Sequence, residues 1–344
     1  MSGAKLIFFK DFSEAKGIVD PGQSLVIFDL RLTRVSPEFQ AWLRQFPFRY
    51  GVRSGEALKD LDAFPGHAKK ISRIASSLPS RRMSVIAAGG GSVGDFAGFF
   101  ASVYKRGVPL VHMPSTWLSA VDSSHGGKTA LNANGAKNQF GTFYPAARVV
   151  LVRSLLEAQP LERAQEALAE LAKIALIDGG AWTHELERTR LRNERLIWKF
   201  LPYAIESKLK IVRRDPYEET GIRQLLNLGH TVGHVLEAAY GWAHGRAVAQ
   251  GLFFALEFSE KRKMLSNQDA DRARALLEGP CGLKKATPNP LSEKAFRSLL
   301  IQDKKRDARD EITFIFLRKF GKGERVNVAI DDIVHEARRQ GLVR

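Results

Sequence analysis

The chain of 344 residues has a single cysteine, Cys281, which excludes an internal disulfide and fits a reducing compartment. No apolar run approaches membrane length, and the short one at the start, Leu6 to Phe9, cannot form a signal-peptide core, so a cytosolic protein is expected. Acidic residues are scarce: 37 Asp and Glu against 53 Lys and Arg leave a net charge of +16. That excess is scattered (Arg188, Arg190, Arg192, Arg195, Lys261, Arg262, Lys263, Arg338, Arg339) and forms no single tract with interleaved aromatics. The scatter argues against a nucleic-acid reader and leaves anionic small ligands or a phosphate-rich partner. Low-complexity tracts, internal repeats and long linkers are missing.

Three of the eight histidines stand in one stretch, LLNLGHTVGHVLEAAYGWAHGRAVAQG (225–251). His230 and His234 are four apart in a run whose apolar residues, Leu226, Val232, Val235 and Leu236, recur at helical spacing, so both imidazoles project from one face. Gly241 predicts the end of that helix. His244 opens a second apolar run, Ala247 to Leu256, from which its ring can swing back toward the first pair. A lone histidine is more often a core or capping residue, but three together point to a metal. Two histidines and a carboxylate would leave an open position on a divalent ion, as in catalytic rather than structural zinc sites. The best carboxylate is Glu170 in EALAELAKIALID, facing the same way as Lys173 three residues on. Among Leu168, Leu171, Ile174 and Leu176, that pair reads equally as an exposed or a partly buried ion pair.

Upstream, SVIAAGGGSVGDFAGFFASVYKRG (84–107) reads as strand, glycine turn and helix. Met83 to Ala88 supplies the strand, Gly89, Gly90 and Gly91 let the backbone approach a ligand, and the next helix aims its amide end at an anion such as a pyrophosphate. Asp95 reads on its own as a first-turn acid. The stretch PSTWLSAVDSSHGGKTALNANGAKNQFGTFYP (114–145) is too polar and glycine-rich for a core element and is expected to be a binding loop. Its Asp122, Lys128, Lys137 and Asn138 suit a doubly charged small anion.

The size of the chain fits two domains. Short apolar runs at 24–28, 83–88, 109–113 and 148–152 predict a mostly parallel α/β sheet in an N-terminal Rossmann-like domain, residues 1–154. Helix-period runs then predict a mainly α-helical C-terminal domain, residues 155–344, with ITFIF (312–316) a strand.

With these stretches read, the chain resembles the 3-dehydroquinate synthase family of sugar-phosphate cyclases. The resemblance runs from about Gly55 to Asp307 and rests on GEALK (55–59), GGGSVGDFAGF (89–99), YKRG (104–107), VDSSHGGKTALN (121–132), AKNQFGTFY (136–144), AELAK (169–173), RQLLNLGHTVGH (223–234), HGRAVAQG (244–251) and DKK (303–305). It implies one divalent ion, zinc or cobalt, on Glu170, His230 and His244. It implies NAD on Gly89, Gly90, Gly91, Asp95, Glu56 and Lys59, with Asp122, Lys137, Ser115 and Thr116 near the nicotinamide. Lys128, Asn138, Lys173, Lys208, Arg223, Asn227, His234 and Lys304 or Lys305 are implied to hold the substrate, and Arg106 to reach the partner subunit of a homodimer. The implied substrate, 3-deoxy-D-arabino-heptulosonate 7-phosphate, carries a carboxylate and a phosphate at opposite ends. Its implied course is hydride transfer from C5 to NAD, elimination of phosphate, return of the hydride, ring opening and an intramolecular aldol closure.

Departures from the family pattern are local. Arg246 stands where HGEAV has glutamate, Arg153 where an aspartate follows the strand, Ser115 where PTT has threonine, and one residue is added between Asp215 and Arg223. They bear on the surroundings of His244 and on the adenosine contacts. Two further readings are another sugar-phosphate cyclase, making a valiolone or an inosose, and a metal-dependent polyol dehydrogenase. The cations Lys128, Lys137, Lys208 and Arg223 argue against the dehydrogenase, and Lys208, Arg223, Asn227 and His234 together favour the acid substrate.

Overall fold

The structure of the protein, a computed structural model, describes residues 4–78, 83–302 and 310–344. These fall into two compact units, Met1–Ala164 and Gln165–Arg344.

Unit 1 contains β1 (Lys5–Phe9), β2 (Ser24–Asp29), β3 (Arg49–Val52), β4 (Ser84–Gly89), β5 (Leu110–Pro114), β6 (Lys128–Ala133), β7 (Ala136–Phe143) and β8 (Arg148–Val152). Six of these form one sheet in the order β1-β8-β5-β4-β2-β3, and every pairing in it is parallel. β2 is buried at all its positions, as a strand covered on both faces must be, so SLVIFD is a nearly continuous apolar run. Helices α1 (Leu32–Val35), α2 (Pro37–Leu43), α3 (Phe64–Ala75), α4 (Gly91–Val103) and α5 (Arg153–Glu157) complete the unit. Phe12, Phe39, Trp42 and Phe46 pack against Val26, Phe28, Ile86 and Val111 in one core. Burying each such side chain contributes about 1.5–3 kcal/mol.

The edge strand β1 and the four-residue edge strand β3 add to the four strands expected. β3 reads RYGV, which has too little apolar pattern to declare itself, and it is fixed by its register with β2, Val26 opposite Arg49 through Asp29 opposite Val52. The expected binding loop at 114–145 is corrected: most of it is an antiparallel hairpin, β6 against β7, preceded by a helical turn at Ser119–Ser123. Backbone pairing makes this hairpin, and β7 is exposed along almost all its length, so no apolar alternation marks it.

Unit 2 is mainly helical: α6 (Leu161–Asp178), α7 (Ala181–Arg188), α8 (Asn193–Arg214), α9 (His230–Tyr240), α10 (His244–Lys261), α11 (Asn267–Glu278), α12 (Glu293–Gln302) and α13 (Ile330–Arg339). Its one sheet among the described residues pairs β9 (Glu311–Lys319) with β10 (Lys322–Ala329), so the predicted strand at 312–316 is longer and has a partner. α9 ends at Gly241, whose left-handed backbone (φ 63°) closes the helix where glycine predicts it. No helix among the described residues is long and apolar enough to cross a membrane.

Candidate active site

In unit 1 the chain turns from β3 outward on one side of β2 and from β5 outward on the other side of β4, so the strand order reverses between β2 and β4. Ligands of open parallel sheets sit in the crevice at such a point, beyond the carboxyl ends of the strands. Gly89, Gly90 and Gly91 lie there, at the end of β4 and the start of α4. The Ser115 amide donates to the Gly89 carbonyl (3.0 Å), and a Cβ at Gly90 or Gly91 would crowd Thr116 or Ser123, at 3.2 and 3.3 Å. The glycines thus let β4, Ser115, Thr116 and the Ser119–Ser123 turn close around the amide end of α4. His112 is buried against Gly94, and burial pushes its pKa down to about 4, keeping the ring neutral.

Beside the turn, Lys59 is buried and donates to Asp95 Oδ2 and Asn138 Oδ1, both at 2.6 Å. Burial raises the Asp95 carboxyl above its ordinary value against the pull of Lys59. Asp95 lies beyond the first turn of α4, so the expected first-turn acid is instead the acceptor for Lys59. Asn132 joins the network: its Nδ2 donates to Glu56 Oε2 (2.8 Å), and its Oδ1 accepts from the Asn138 amide (2.9 Å). Sequence reasoning quoted Asn132 in a motif without giving it this role. Asp122 is half-buried, and Lys128 and Lys137 are exposed on the hairpin. Arg106 is exposed past the end of α4, and it and Lys105 have left-handed backbones (φ 66° and 50°).

In unit 2, α6 presents Glu170 and Lys173 fully buried, and the Lys173 ammonium is paired with Glu170 Oε2. Glu170 Oε1 is 3.5 Å from His230 Nε2 and 3.5 Å from His244 Nε2. That is long for a hydrogen bond, but donors about 2.1 Å from one tetrahedral ion stand about 3.4 Å from each other. All three donor atoms lie within 4.8 Å of one another. The outer nitrogens are also held: His230 Nδ1 meets the Leu228 carbonyl (3.3 Å) and His244 Nδ1 meets Glu237 Oε2 (3.0 Å), which turns both Nε2 atoms inward. The donor set and its supports fit one divalent ion.

Close packing makes the cluster. A Cβ at Gly245 would run into the Glu166 carbonyl on α6, and one at Gly251 into the Gly229 carbonyl before α9, so α10 can approach both elements only with glycine there. The local charges follow. Burial, helped by Lys173, lowers His230 to about 3, whereas His244, despite burial, is raised to about 10 by Glu170 and Glu237. Burial alone would raise Glu170, but Lys173 and the two imidazoles hold it well below the ordinary carboxylate range.

His234 stands on the same face, its ring 5.3 Å from that of His230. Lys208 on α8 and Arg223 on the turn Ile222–Asn227 are buried, and Asn227 is half-buried. The added residue between Asp215 and Arg223 is absorbed by a turn that Asp215 gathers: its carboxylate accepts from the amides of Glu219 (2.8 Å), Thr220 (3.1 Å) and Arg223 (3.0 Å). Arg223 Nη1 then donates to the Pro216 carbonyl (3.0 Å). Arg246 points away from concern: it is exposed and stacks on Trp242 at 4.0 Å, and Glu237 supplies the carboxylate behind His244. Sequence reasoning missed Glu237, although its place seven residues after His230 puts it on the same helix face. Arg153 pairs with Glu157 (2.8 Å) at the end of β8, across β5 and β4 from β2. Lys304 and Lys305 lie outside the described residues.

The architecture, a Rossmann-like parallel-sheet unit followed by a helical one, is that of solved sugar-cyclising synthases. A 2-deoxy-scyllo-inosose synthase solved with carbaglucose-6-phosphate, NAD+ and Co2+ superposes with a TM-score of 0.83 at 23% identity, covering 97% of this chain and 96% of that one. The 2-epi-5-epi-valiolone synthase of Streptomyces hygroscopicus subsp. jinggangensis 5008, solved with NAD+ and Zn2+, gives 0.80 at 20% identity, covering 99% and 97%. Within that class the sequence is more specific. Residues 49–166 match the N-terminal model of 3-dehydroquinate synthase and 167–306 the C-terminal one, and the chain belongs to this family. The 3-dehydroquinate synthase of Legionella pneumophila subsp. pneumophila is 36% identical over 264 residues, 75% of this chain and 71% of that protein.

Proposed function

We propose that the chain is a 3-dehydroquinate synthase, a carbon–oxygen lyase that converts 3-deoxy-D-arabino-heptulosonate 7-phosphate to 3-dehydroquinate and inorganic phosphate. Unit 1 is the dinucleotide domain, and unit 2 binds the ion and the sugar acid. Family membership supports the reaction, and the solved relatives with NAD+ and Co2+ or Zn2+ support the cofactors.

One observation carries the choice of substrate: unit 2 buries Lys173, Lys208 and Arg223 as well as an ion site. Three buried cations in the unit that holds the ion site suit a substrate carrying a carboxylate and a phosphate better than an uncharged polyol.

Glu170, His230 and His244 would hold the ion, and the glycine turn with Asp95, Lys59 and Glu56 would hold NAD, Asp122, Lys137, Ser115 and Thr116 lying toward the nicotinamide. Bound, the pair supplies a reversible hydride acceptor and a Lewis acid for the neighbouring oxygens. Arg223 offers a planar fork for the carboxylate, already aligned by Asp215 and the Pro216 carbonyl. Lys208 adds charge to it. Lys173 keeps Glu170 ionised, so it can serve as a ligand. His234 donates to the phosphate or passes a proton at its ring nitrogen, and Asn227, Lys128 and Asn138 donate to hydroxyls or phosphate oxygens. The family reading extends to a cytosolic homodimer in which Arg106, exposed beyond α4, reaches the partner subunit.

The test is product formation from the heptulosonate phosphate, followed by NMR, beside a heptulose 7-phosphate lacking the acid. Conversion of the acid to the carbocycle with little use of the other supports the reading; equal turnover of both rejects it.

A further inference from the structure

The hairpin of β6 and β7 breaks its ladder at one place. Leu131 faces Phe140 and Ala133 faces Ala136, so Asn132 stands opposite three residues, Lys137 to Gln139, where a regular antiparallel pair would set one. In this bulge Asn138 has a left-handed backbone (φ 57°), which asparagine tolerates but which persists at a binding loop only where its surroundings hold it. Its backbone amide donates to Asn132 Oδ1 (2.9 Å).

The other polar groups of Asn132 reach a different segment. Its Nδ2 donates to Glu56 Oε2 (2.8 Å) and its carbonyl accepts from the Leu61 amide (2.9 Å), which ties the turn Glu56–Lys59 to the hairpin. The same turn supplies the buried Lys59, whose ammonium donates to Asn138 Oδ1 (2.6 Å). With that oxygen taken, Asn138 has its side-chain Nδ2 left to offer, and Nδ2 has no partner among the described residues. Asn132 and Lys59 thus fix the backbone and the side-chain orientation of Asn138 and leave its donors to a ligand. Asn132 is half-buried behind Asn138, which is exposed.

We propose that Asn132 is a positioning residue that serves two ligands through the two ends of one side chain. Its donor aligns the Glu56 carboxylate for the dinucleotide, and its acceptor holds Asn138 so that Nδ2 donates to an oxygen of the sugar acid phosphate. The proposal rests on the assignment, under the proposed function, of Glu56 to NAD and of Asn138 to the sugar.

The metal-loaded full chain is compared with Asn132→Ala, Asn132→Asp, Asn138→Ala and Asn132→Ala/Asn138→Ala. Calorimetric titration gives the affinity for NAD, and steady-state phosphate release at saturating NAD gives KM for the heptulosonate phosphate. Asn132→Ala is expected to weaken NAD and to raise KM, each about tenfold, as the loss of a hydrogen-bond partner at such a site does. Asn132→Asp keeps an acceptor for Asn138 but loses the donor to Glu56 and sets a second carboxylate beside it. Its KM should therefore return to within about threefold of wild type while NAD stays weak. In the Asn138→Ala background, Asn132→Ala should shift KM less than about twofold, because its partner is already gone. A residue that only stabilised the fold would impair the Ala and Asp variants alike and would add its effect to that of Asn138→Ala. Either pattern overturns the proposal and leaves the proposed function standing, as does an Asn132→Ala protein with wild-type NAD affinity and KM. Should Asn132→Ala not fold, Asn132→Asp decides alone: near-normal KM with weakened NAD supports the proposal, and any other combination overturns it. If the wild type neither binds NAD nor turns over the sugar acid, the proposed function is wrong and the proposal falls with it.

Discussion

Replacing Lys173 with methionine tests the internal logic of the metal cluster. The ammonium and its partner Glu170 are almost fully sealed from solvent, with relative exposures of 2% and 0%. Removing one member of a buried pair leaves an uncompensated charge and typically costs about 3–5 kcal/mol. The His244 ring, raised to about 10, stays charged and still faces Glu170, which places the loss toward the lower end, about 3 kcal/mol. For a unit of this size that is roughly 6–12 °C in Tm. Methionine fills similar space without charge, so packing should change little. A divalent ion would replace the lost cation beside Glu170, and the repulsion between ammonium and ion would be gone. Thermal unfolding followed by circular dichroism, in chelator and in excess zinc, should show a clear loss without metal that zinc largely restores. An unchanged Tm in chelator, or a variant that no longer binds zinc, would refute the reasoning.

His244→Ala should abolish stoichiometric zinc, measured by metal analysis after gel filtration; retained metal with full turnover would remove His244 from the ligand set. Glu237→Gln, which weakens the support of His244, should lower zinc affinity by about 10–100-fold in a competition titration, and no change would show that Glu237 only packs. Because Glu170 and Glu237 raise His244 from 6.5 to about 10 despite its burial, that group stabilises the metal-free fold fully below pH 6.5, and the contribution fades as pH rises toward 10. Binding an ion displaces the same proton, so zinc affinity should rise close to tenfold per pH unit between about pH 7 and 9, and a flat profile would contradict the assignment. Arg223→Ala should cost about 2–5 kcal/mol in kcat/KM, roughly thirtyfold or more, with Arg223→Lys clearly impaired, since an ammonium cannot make two parallel bonds to a carboxylate.

The parts of this protein legible in the sequence are those where one spacing serves one purpose. The run SLVIFD could only be a buried strand, and His230, His234 and Gly241 fix a helix, one of its faces and its end. Less legible was whatever depends on partners distant in the chain. β3 exists because β2 lies beside it, and the β6–β7 hairpin is held by backbone bonds that leave no apolar signature. The burial of Glu170 and Lys173 was undecided in sequence because it depends on the close approach of α10, which Gly245 permits. Asp215 was noticed only as the edge of an added residue; its three amide bonds appear once the turn is folded.

The central claim is a reaction that uses hydride transfer without net oxidation, assisted by an ion on Glu170, His230 and His244. The most direct measurement follows inorganic phosphate and NADH together, from the heptulosonate phosphate with NAD below the enzyme's substrate concentration, with and without chelator. Sustained phosphate release with no accumulation of NADH, stopped by chelator and restored by zinc or cobalt, is the predicted result. Steady NADH formation, or phosphate release indifferent to chelator, would contradict it.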